Sequence, residues 1–210
     1  MKKTLLAIAL LAGATQAQAE QGFFVQGDFG TAHSALSFSE DDSYSGDEMT
    51  AGVKIGYGFN DNWSLQLQRA NAGEFNIDES SSTVCPGNQA CGVLTESLDS
   101  EASYTALMAQ YQSYVSAQSW SFAGRFGLVF AKQTITYTAK FNGAQESAEF
   151  DDSPVGFVAG VGAQYNFTEN LSFVADLDLV PFSTDSTKEL VDESADYHVT
   201  RVVIGAKYVF

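Results

Sequence analysis

From Gly56 to Gln68 the chain reads GYGFNDNWSLQLQ. Tyr57, Phe59, Trp63, Leu65 and Leu67 alternate with Gly58, Ser64, Gln66 and Gln68, and Asn60-Asp61-Asn62 falls between the two halves. Side chains of a strand point to opposite faces in turn, so this period of two predicts two strands joined by a tight turn. The pattern returns 108 residues later, where Tyr165 to Phe173 repeats aromatic-x-aromatic, a polar turn ending in Asn, then apolar-Ser-apolar. The same reading gives eight strands, at 22–31, 49–59, 63–70, 101–112, 119–131, 154–167, 171–180 and 197–210.

The connections alternate in length. After the second, fourth and sixth strands they are short, at Asn60–Asn62, Ser113–Gln118 and Thr168–Asn170. After the first, third, fifth and seventh they are long loops, at 32–48, 72–100, 138–153 and 182–196. Short turns at one end and long loops at the other are expected of an up-and-down outer-membrane barrel. A Greek-key sandwich has no reason to sort its loops so. Aromatics are sorted too. Tyr57, Phe59, Tyr111, Tyr165, Phe167, Tyr208 and Phe210 end strands at the short-turn side, and Phe23, Trp63 and Trp120 begin strands there. β-propensity explains aromatics in strands, whereas a shared level is expected of a membrane–water interface. The fold class predicted is all-β, an eight-stranded antiparallel up-and-down transmembrane β-barrel.

In such a barrel the apolar face meets lipid and the other face the lumen. Parity places Asp28, Lys54, Arg125, Asp176, Asp178, Arg201 and Lys207 inside, among Gly52, Gly56, Gly156, Gly160, Gly162 and Gly205. Eight strands leave a lumen just wide enough for side chains to fill. Four bases against three acids predict paired charges, since an unpaired buried charge is costly. The alternative is a soluble barrel with these charges on its surface. In the fifth strand the apolar residues change parity. Trp120, Phe122, Phe126, Leu128 and Phe130 are even-numbered, and Ile135, Tyr137 and Phe141 are odd. A bulge or a change of environment does this, and the expectation is a ribbon that leaves the bilayer and continues into the medium.

Composition adds compartment and partners. Lys2 and Lys3, the apolar run Thr4–Ala14 and the small residues of Ala17-Gln18-Ala19 read as a secretory signal peptide over 1–19, leaving 20–210 as one domain. Loss of two lysines takes the formal charge from −16 to −18, which disfavours nucleic acid. The four long loops carry nineteen acids and two bases, Lys140 and Lys188. They solvate the loops or bind divalent cations, but no calcium-loop spacing is present. Cys85 and Cys91 in TVCPGNQACGV predict a disulfide in an exported chain, while a metal-site reading has no histidine nearby. Arg69 and Lys132 fall on the lipid-facing parity near the long-loop end, where a cation costs about 0–1 kcal/mol. The expectation there is contact with lipopolysaccharide phosphates. The acids Asp176 and Asp178 share a face, as acid–base catalysis would need, but the lumen bases are expected to neutralise them. No catalytic, cofactor or metal site is expected.

VGAQYNFTENLSFVADLDLV, TALMAQYQSY and the ending GAKYVF resemble the eight-stranded OmpA-like transmembrane domain and the small OmpX-type barrels, over the whole mature chain. The closing Gly205-x-x-Tyr208-x-Phe210 is similar to the signal by which barrel assembly machinery recognises its clients, with Val203 where those clients carry a polar residue. The resemblance implies a monomeric barrel of the Gram-negative outer membrane, in contact with lipid and lipopolysaccharide. It implies a structural and surface-interaction role, with the loops and ribbon meeting an extracellular ligand. Longer relatives add a peptidoglycan-binding domain, which is not expected here. The alternatives are a small channel or passive transporter, a lipid A-modifying enzyme acting through a histidine and a serine, and a lipocalin-like carrier. Against the enzyme, the two histidines are His33 and His198, and the latter sits in His198-Val199-Thr200 without a serine.

Overall fold

A computed structural model describes residues 21–37, 43–85, 91–114, 119–142, 144–184 and 195–210. The expected signal peptide over 1–19 lies outside the described residues. Nine strands are seen: β1 (Gly22–Ser37), β2 (Ser43–Gly58), β3 (Trp63–Val84), β4 (Gly92–Tyr114), β5 (Trp120–Phe141), β6 (Ala144–Asp152), β7 (Val155–Asn166), β8 (Leu171–Thr184) and β9 (Ala195–Val209). All neighbours are antiparallel. The ring runs β1-β2-β3-β4-β5-β7-β8-β9 and closes from β9 back onto β1, while β6 pairs only with the far half of β5. It is an eight-stranded up-and-down barrel without helices among the described residues. Closure gives the wall no open edge, which is what a bilayer demands of backbone polar groups.

The wall is inside out relative to a soluble protein. Tyr57, Trp63, Leu65 and Leu67 point outward and are exposed, whereas Gln66 and Gln68 are buried in the lumen. Val25, Phe29, Ile55, Leu107, Phe126, Leu128, Phe157, Ile204 and their neighbours extend the outward apolar belt all round. A soluble monomer rarely exposes so continuous an apolar surface. At the short-turn end the aromatics meet as cross-strand pairs: Phe23 with Tyr57, Trp63 with Tyr111 and Trp120 with Tyr165, at 5.0, 5.1 and 5.1 Å between ring centres. The repeated turn is built alike both times. Asn60 Oδ1 accepts from the N–H groups of Asn62 and Trp63, and Thr168 Oγ1 from those of Asn170 and Leu171. Asn62 and Asn170, which occupy the same place in the repeat, each donate from Nδ2 to a carbonyl of the adjacent strand, Gln112 and Val209, both at 2.8 Å.

The long-loop end differs from the sequence expectation. Most of 72–100 and 138–153 is paired strand, not loop, and β1–β2 and β8–β9 also run on as far as Ser37–Ser43 and Thr184–Ala195. The ladder from β2 to β3 stops at Gly52–Ala70, and that from β7 to β8 at Ala159–Leu179. Beyond these forks the barrel parts into two four-stranded sheets, β2-β1-β9-β8 and β3-β4-β5-β6. The second stands taller, with β4 continuing about 30 Å past Ala102 at the rise of an extended strand.

Side chains finish the forks. Asn71 Oδ1 accepts the N–H of Ala51 at 2.6 Å, and Ser34 donates to the carbonyl of Ala72 at 2.9 Å. At the other fork stands Pro181, which has no N–H to give. The taller sheet is notched at one row. Gly73, Ala102, Gln133 and Asp152 lie side by side across it. On one flank β3 bulges at Ala72, with Gly73 at φ +100°, and on the other Ser153-Pro154 divides β6 from β7. The parity change in β5 comes without a bulge, for its register with β4 is continuous from Ser121 to Phe141. The environment changes instead.

Candidate functional site

The inward parity of five strands converges on one charged layer. Asp28, Lys54, Arg125, Asp176, Asp178, Arg201 and Lys207 are all inside the barrel and no more than 7% exposed. Lys54 on β2 sits 2.6 Å from Asp176 and 3.6 Å from Asp28. Arg125 on β5 spans both acids of β8, Nη2 to Asp176 Oδ1 at 2.6 Å and Nε to Asp178 Oδ1 at 3.1 Å. Arg201 on β9 holds Asp28 with Nη2 at 2.9 Å, donates from Nε to Thr50 Oγ1 and from Nη1 to Tyr104 Oη, and lies 3.6 Å from Asp178. Gln26 donates to Asp176 at 2.9 Å. Lys207 stands apart, 4.6 Å from the ring of Phe24 and 3.4 Å from Gln164.

Glycine makes room for these groups. A Cβ on Gly160 would lie 2.3 Å from Asp178 Oδ1 and 2.9 Å from Arg125 Nε, and one on Gly162 would lie 2.3 Å from Asp176 Oδ1. Asp178 is fully buried and its carboxylate makes no hydrogen bond among the described residues; it is held by the charges of Arg125, Arg201 and Lys54 alone. Parity picks out the seven charges. It also contains Thr50, Tyr104, Gln26 and Gln68, whose part in the network only the cross-lumen distances reveal.

Above and below this layer the lumen is filled. On the long-loop side Ala32, Ala70, Tyr104, Met108, Val129, Val158, Phe182, Tyr197 and Val199 pack into an apolar cluster. On the short-turn side Gln66, Gln110, Gln112 and Ser121 link in a chain of hydrogen bonds, and Gln164, Ser172 and Asn166 form another group. The charges therefore bind one another, between an apolar cluster on one side and a hydrogen-bonded glutamine layer on the other.

Outside, the picture is open. Cys85 and Cys91 are joined in a disulfide immediately beyond the last ladder pair of β3 and β4, Val84–Gly92, so the bond staples a hairpin tip. Phe141 pairs with Ala144, and Asn142 just past the end of β5 takes φ 47°, the left-handed backbone that tight hairpin turns use. The taller sheet is amphipathic. Leu98, Ile135, Tyr137 and Phe150 lie on the face that continues the lumen, and Thr134, Thr136, Thr138, Glu149 and Asp151 on the other. Tyr137 donates a hydrogen bond to Glu96.

Arg69 and Lys132 point outward near the forks. Arg69 donates to Thr105 and Ser103, at 3.1 and 3.0 Å, and Lys132 lies 3.6 Å from Asp151. A hydrogen bond from Thr134, with Lys132 beside it, holds the Asp151 carboxyl below the usual carboxylate range. His33 Nδ1 is 2.8 Å from Asp47 Oδ1, and His198 faces outward opposite Ala35 and Pro181. At the closure Tyr208 is exposed and packs edge-on against Phe210, whose N–H donates to the carbonyl of Phe23. Gly205 lies opposite Asp28 on β1.

Solved structures share this architecture. Neisserial surface protein A aligns with a TM-score of 0.58 at 15% identity, over 90% of this chain and 98% of its own. The outer membrane protein OprG from Pseudomonas aeruginosa aligns with a TM-score of 0.51 at 16% identity, over 94% of this chain and 99% of its own. At these identities the likeness is one of fold. No curated protein sequence matches the chain. The family described as outer membrane protein beta-barrel domain matches residues 4–210. With the lipid-facing belt, the aromatic girdle and the closed polar-cored ring in place, the chain belongs to that family and is a β-barrel of the Gram-negative outer membrane.

Proposed function

We propose that this barrel is a structural and surface-interaction protein, anchored in the outer membrane as a monomer and meeting an extracellular ligand with its protruding sheet. The observation that carries this is the contrast between the two ends of the polar inventory. Inside, charged groups are consumed by one another under an apolar cluster. Outside, β3-β4-β5-β6 reaches far beyond the apolar belt, stapled at its tip. A surface with no contact to make gains nothing from so long an extension, since ordering each residue costs about 1–2 kcal/mol in backbone entropy.

The adhesion test shortens the sheet. Joining β3 to β4 and β5 to β6 by tight turns near the Gly73–Asp152 row leaves the barrel wall intact. The expected result is unchanged heat-dependent mobility on gels with loss of bacterial retention on host-cell monolayers. Equal retention with the shortened chain overturns the reading.

Arg69 and Lys132 support a second contact, with lipopolysaccharide phosphate. Both stand outward where the belt ends, and the hydroxyls of Ser103 and Thr105 beside Arg69 supply further donors. Equal lipopolysaccharide binding by the Arg69→Ala/Lys132→Ala chain would sink it. The proposal includes export through the leader 1–19 and delivery to the assembly machinery through Gly205, Tyr208 and Phe210. It assigns no catalytic role to His33 or His198.

A further inference from the structure

The chain has two histidines, 165 positions apart in sequence, and barrel closure brings them to one face. Beyond the forks the shorter sheet, β2-β1-β9-β8, turns alternate residues outward. There His33 of β1 lies opposite Thr200 of β9, and His198 of β9 lies opposite Ala35 of β1. The two histidines are therefore diagonal neighbours across the β9–β1 seam, and both are exposed. They stand above Phe29, Met49 and Val202, the last large outward apolar residues of β1, β2 and β9. Diagonal neighbours on one face of an antiparallel pair lie about 7–8 Å apart, a span that long side chains close.

His33 is already oriented from its other flank. It lies opposite Asp47 of β2, and its Nδ1 is 2.8 Å from Asp47 Oδ1. A carboxylate oxygen only accepts, so Nδ1 carries the proton and donates it, and the lone pair of the neutral ring is left on Nε2. One nitrogen held by a carboxylate and the other free is the way metal-ligating histidines are fixed. His198 makes no hydrogen bond or ion pair among the described residues, so its ring is uncommitted. The outward face around the pair carries two acids, Asp47 and Asp196, and no lysine or arginine among the described residues. Its field attracts cations. Asp196 already accepts from Ser183 at 2.7 Å.

We infer that His33 and His198 are a surface chelating pair for a divalent transition-metal ion, Zn²⁺ or Cu²⁺, with Asp47 orienting His33 and water filling the other positions. Among the described residues no three histidine, cysteine or acidic side chains gather around one point, so this is an open two-nitrogen site and not a closed cage. Imidazole suits zinc, copper and nickel, whereas calcium and magnesium choose oxygen ligands, so the pair selects the softer ions. The inference goes beyond the contact-surface reading and does not depend on it, because it uses the shorter sheet and not β3 to β6.

The first probe is Cu²⁺, added in equal amount to the refolded full mature chain, without a histidine tag, in phosphatidylcholine nanodiscs. Electron paramagnetic resonance counts the nitrogens on the ion. Two imidazoles are expected, and one or none overturns the inference without any variant being made. The second probe is Zn²⁺, titrated by calorimetry. His33→Gln and His198→Gln are each expected to lower affinity about tenfold or more, and Asp47→Ala about tenfold through loss of the orienting bond. Heat-dependent mobility is expected to stay unchanged in all three, since the substituted side chains are exposed. Undiminished zinc binding by the His33→Gln/His198→Gln chain overturns the inference. Displacement of zinc by excess Ca²⁺ also overturns it, because the ion would then sit on the acidic loops.

Discussion

Arg201 is the residue whose loss tests the lumen network most directly. It is fully buried, 2.9 Å from Asp28, and hydrogen-bonds Thr50 and Tyr104 as well. At an effective dielectric constant of about 20 the attraction across 2.9 Å is roughly 6 kcal/mol, and desolvation of both ions offsets much of it. Arg201→Met keeps the bulk and removes the charge. Asp28 then retains Lys54 at 3.6 Å, which cushions the loss. The expected destabilisation is therefore about 3 kcal/mol, at the low end for a broken buried pair. Asp28→Asn leaves Arg201 with Asp178 at 3.6 Å and is expected to cost about 2 kcal/mol. The double variant removes both charges and is expected to fall about 2 kcal/mol short of the sum. The assay is urea unfolding of the refolded chain in micelles. Trp63 and Trp120, both outward in the aromatic girdle, report it by fluorescence as they leave the apolar phase. With a slope of about 2–3 kcal/mol/M the single Arg201 variant lowers the midpoint by about 1 M or more. Additivity within about 0.5 kcal/mol would mean that the two residues share no interaction, and the network account would be wrong.

Planar-bilayer recording of the mature chain is expected to be silent across a range of voltages, because an apolar cluster and a glutamine layer stand in series with the charges. Steady openings would show a water path that this packing forbids. Cys85→Ser/Cys91→Ser is expected to leave barrel unfolding unchanged and to loosen only the β3–β4 tip, by roughly 2 kcal/mol for so short a loop. Limited proteolysis reads it, and equal protection of the tip with and without the bond refutes it. The Asp151 carboxyl is held low, so the support that its charged form gives β6 through Thr134 and Lys132 is present at neutral pH. That support is lost as pH falls through the depressed value. Exchange protection of β6 amides, corrected for intrinsic rates, is expected to drop in acid, and a flat profile contradicts the sign.

The strands, their facing and the lumen charges were legible because bilayer and lumen impose opposite demands on alternate residues. Trp63 and Leu65 against Ser64 and Gln66 is a contrast that few other environments produce. The extensions were not legible. Ser80-Ser81-Ser82 and Glu146 to Asp152 meet water on at least one side, so their alternation is weak and their polarity reads as loop. They are held straight by neighbours, β4 for the one and β5 for the other, and a neighbour is not visible from within a segment. The bulges at Ala72 and Ile77 add to this, since each shifts the parity of the residues beyond it. Pairing across the lumen was beyond reach for a different reason. Lys54 could have met any of three acids by charge, and only barrel closure decides that Asp176 is nearest.

The parity change in β5 joins the two halves of the molecule. Within the bilayer the outward side is apolar, so Phe126, Leu128 and Phe130 point out and Arg125 points in. Past Ala131 the outward side is water, and the preference reverses: Ile135 and Tyr137 turn toward the axis while Thr134 and Thr136 face the medium. The backbone does not change hand or register at that point; only the solvent does. The same reversal fixes where chemistry is still available. The charged groups turned inward below the forks are held by one another in the lumen, and groups turned outward below the forks see only lipid. What stays unsatisfied is the aqueous extension, where sheet edges end in water and carboxylates outnumber bases. A search for this protein's partner therefore belongs on the extension, β3 to β6.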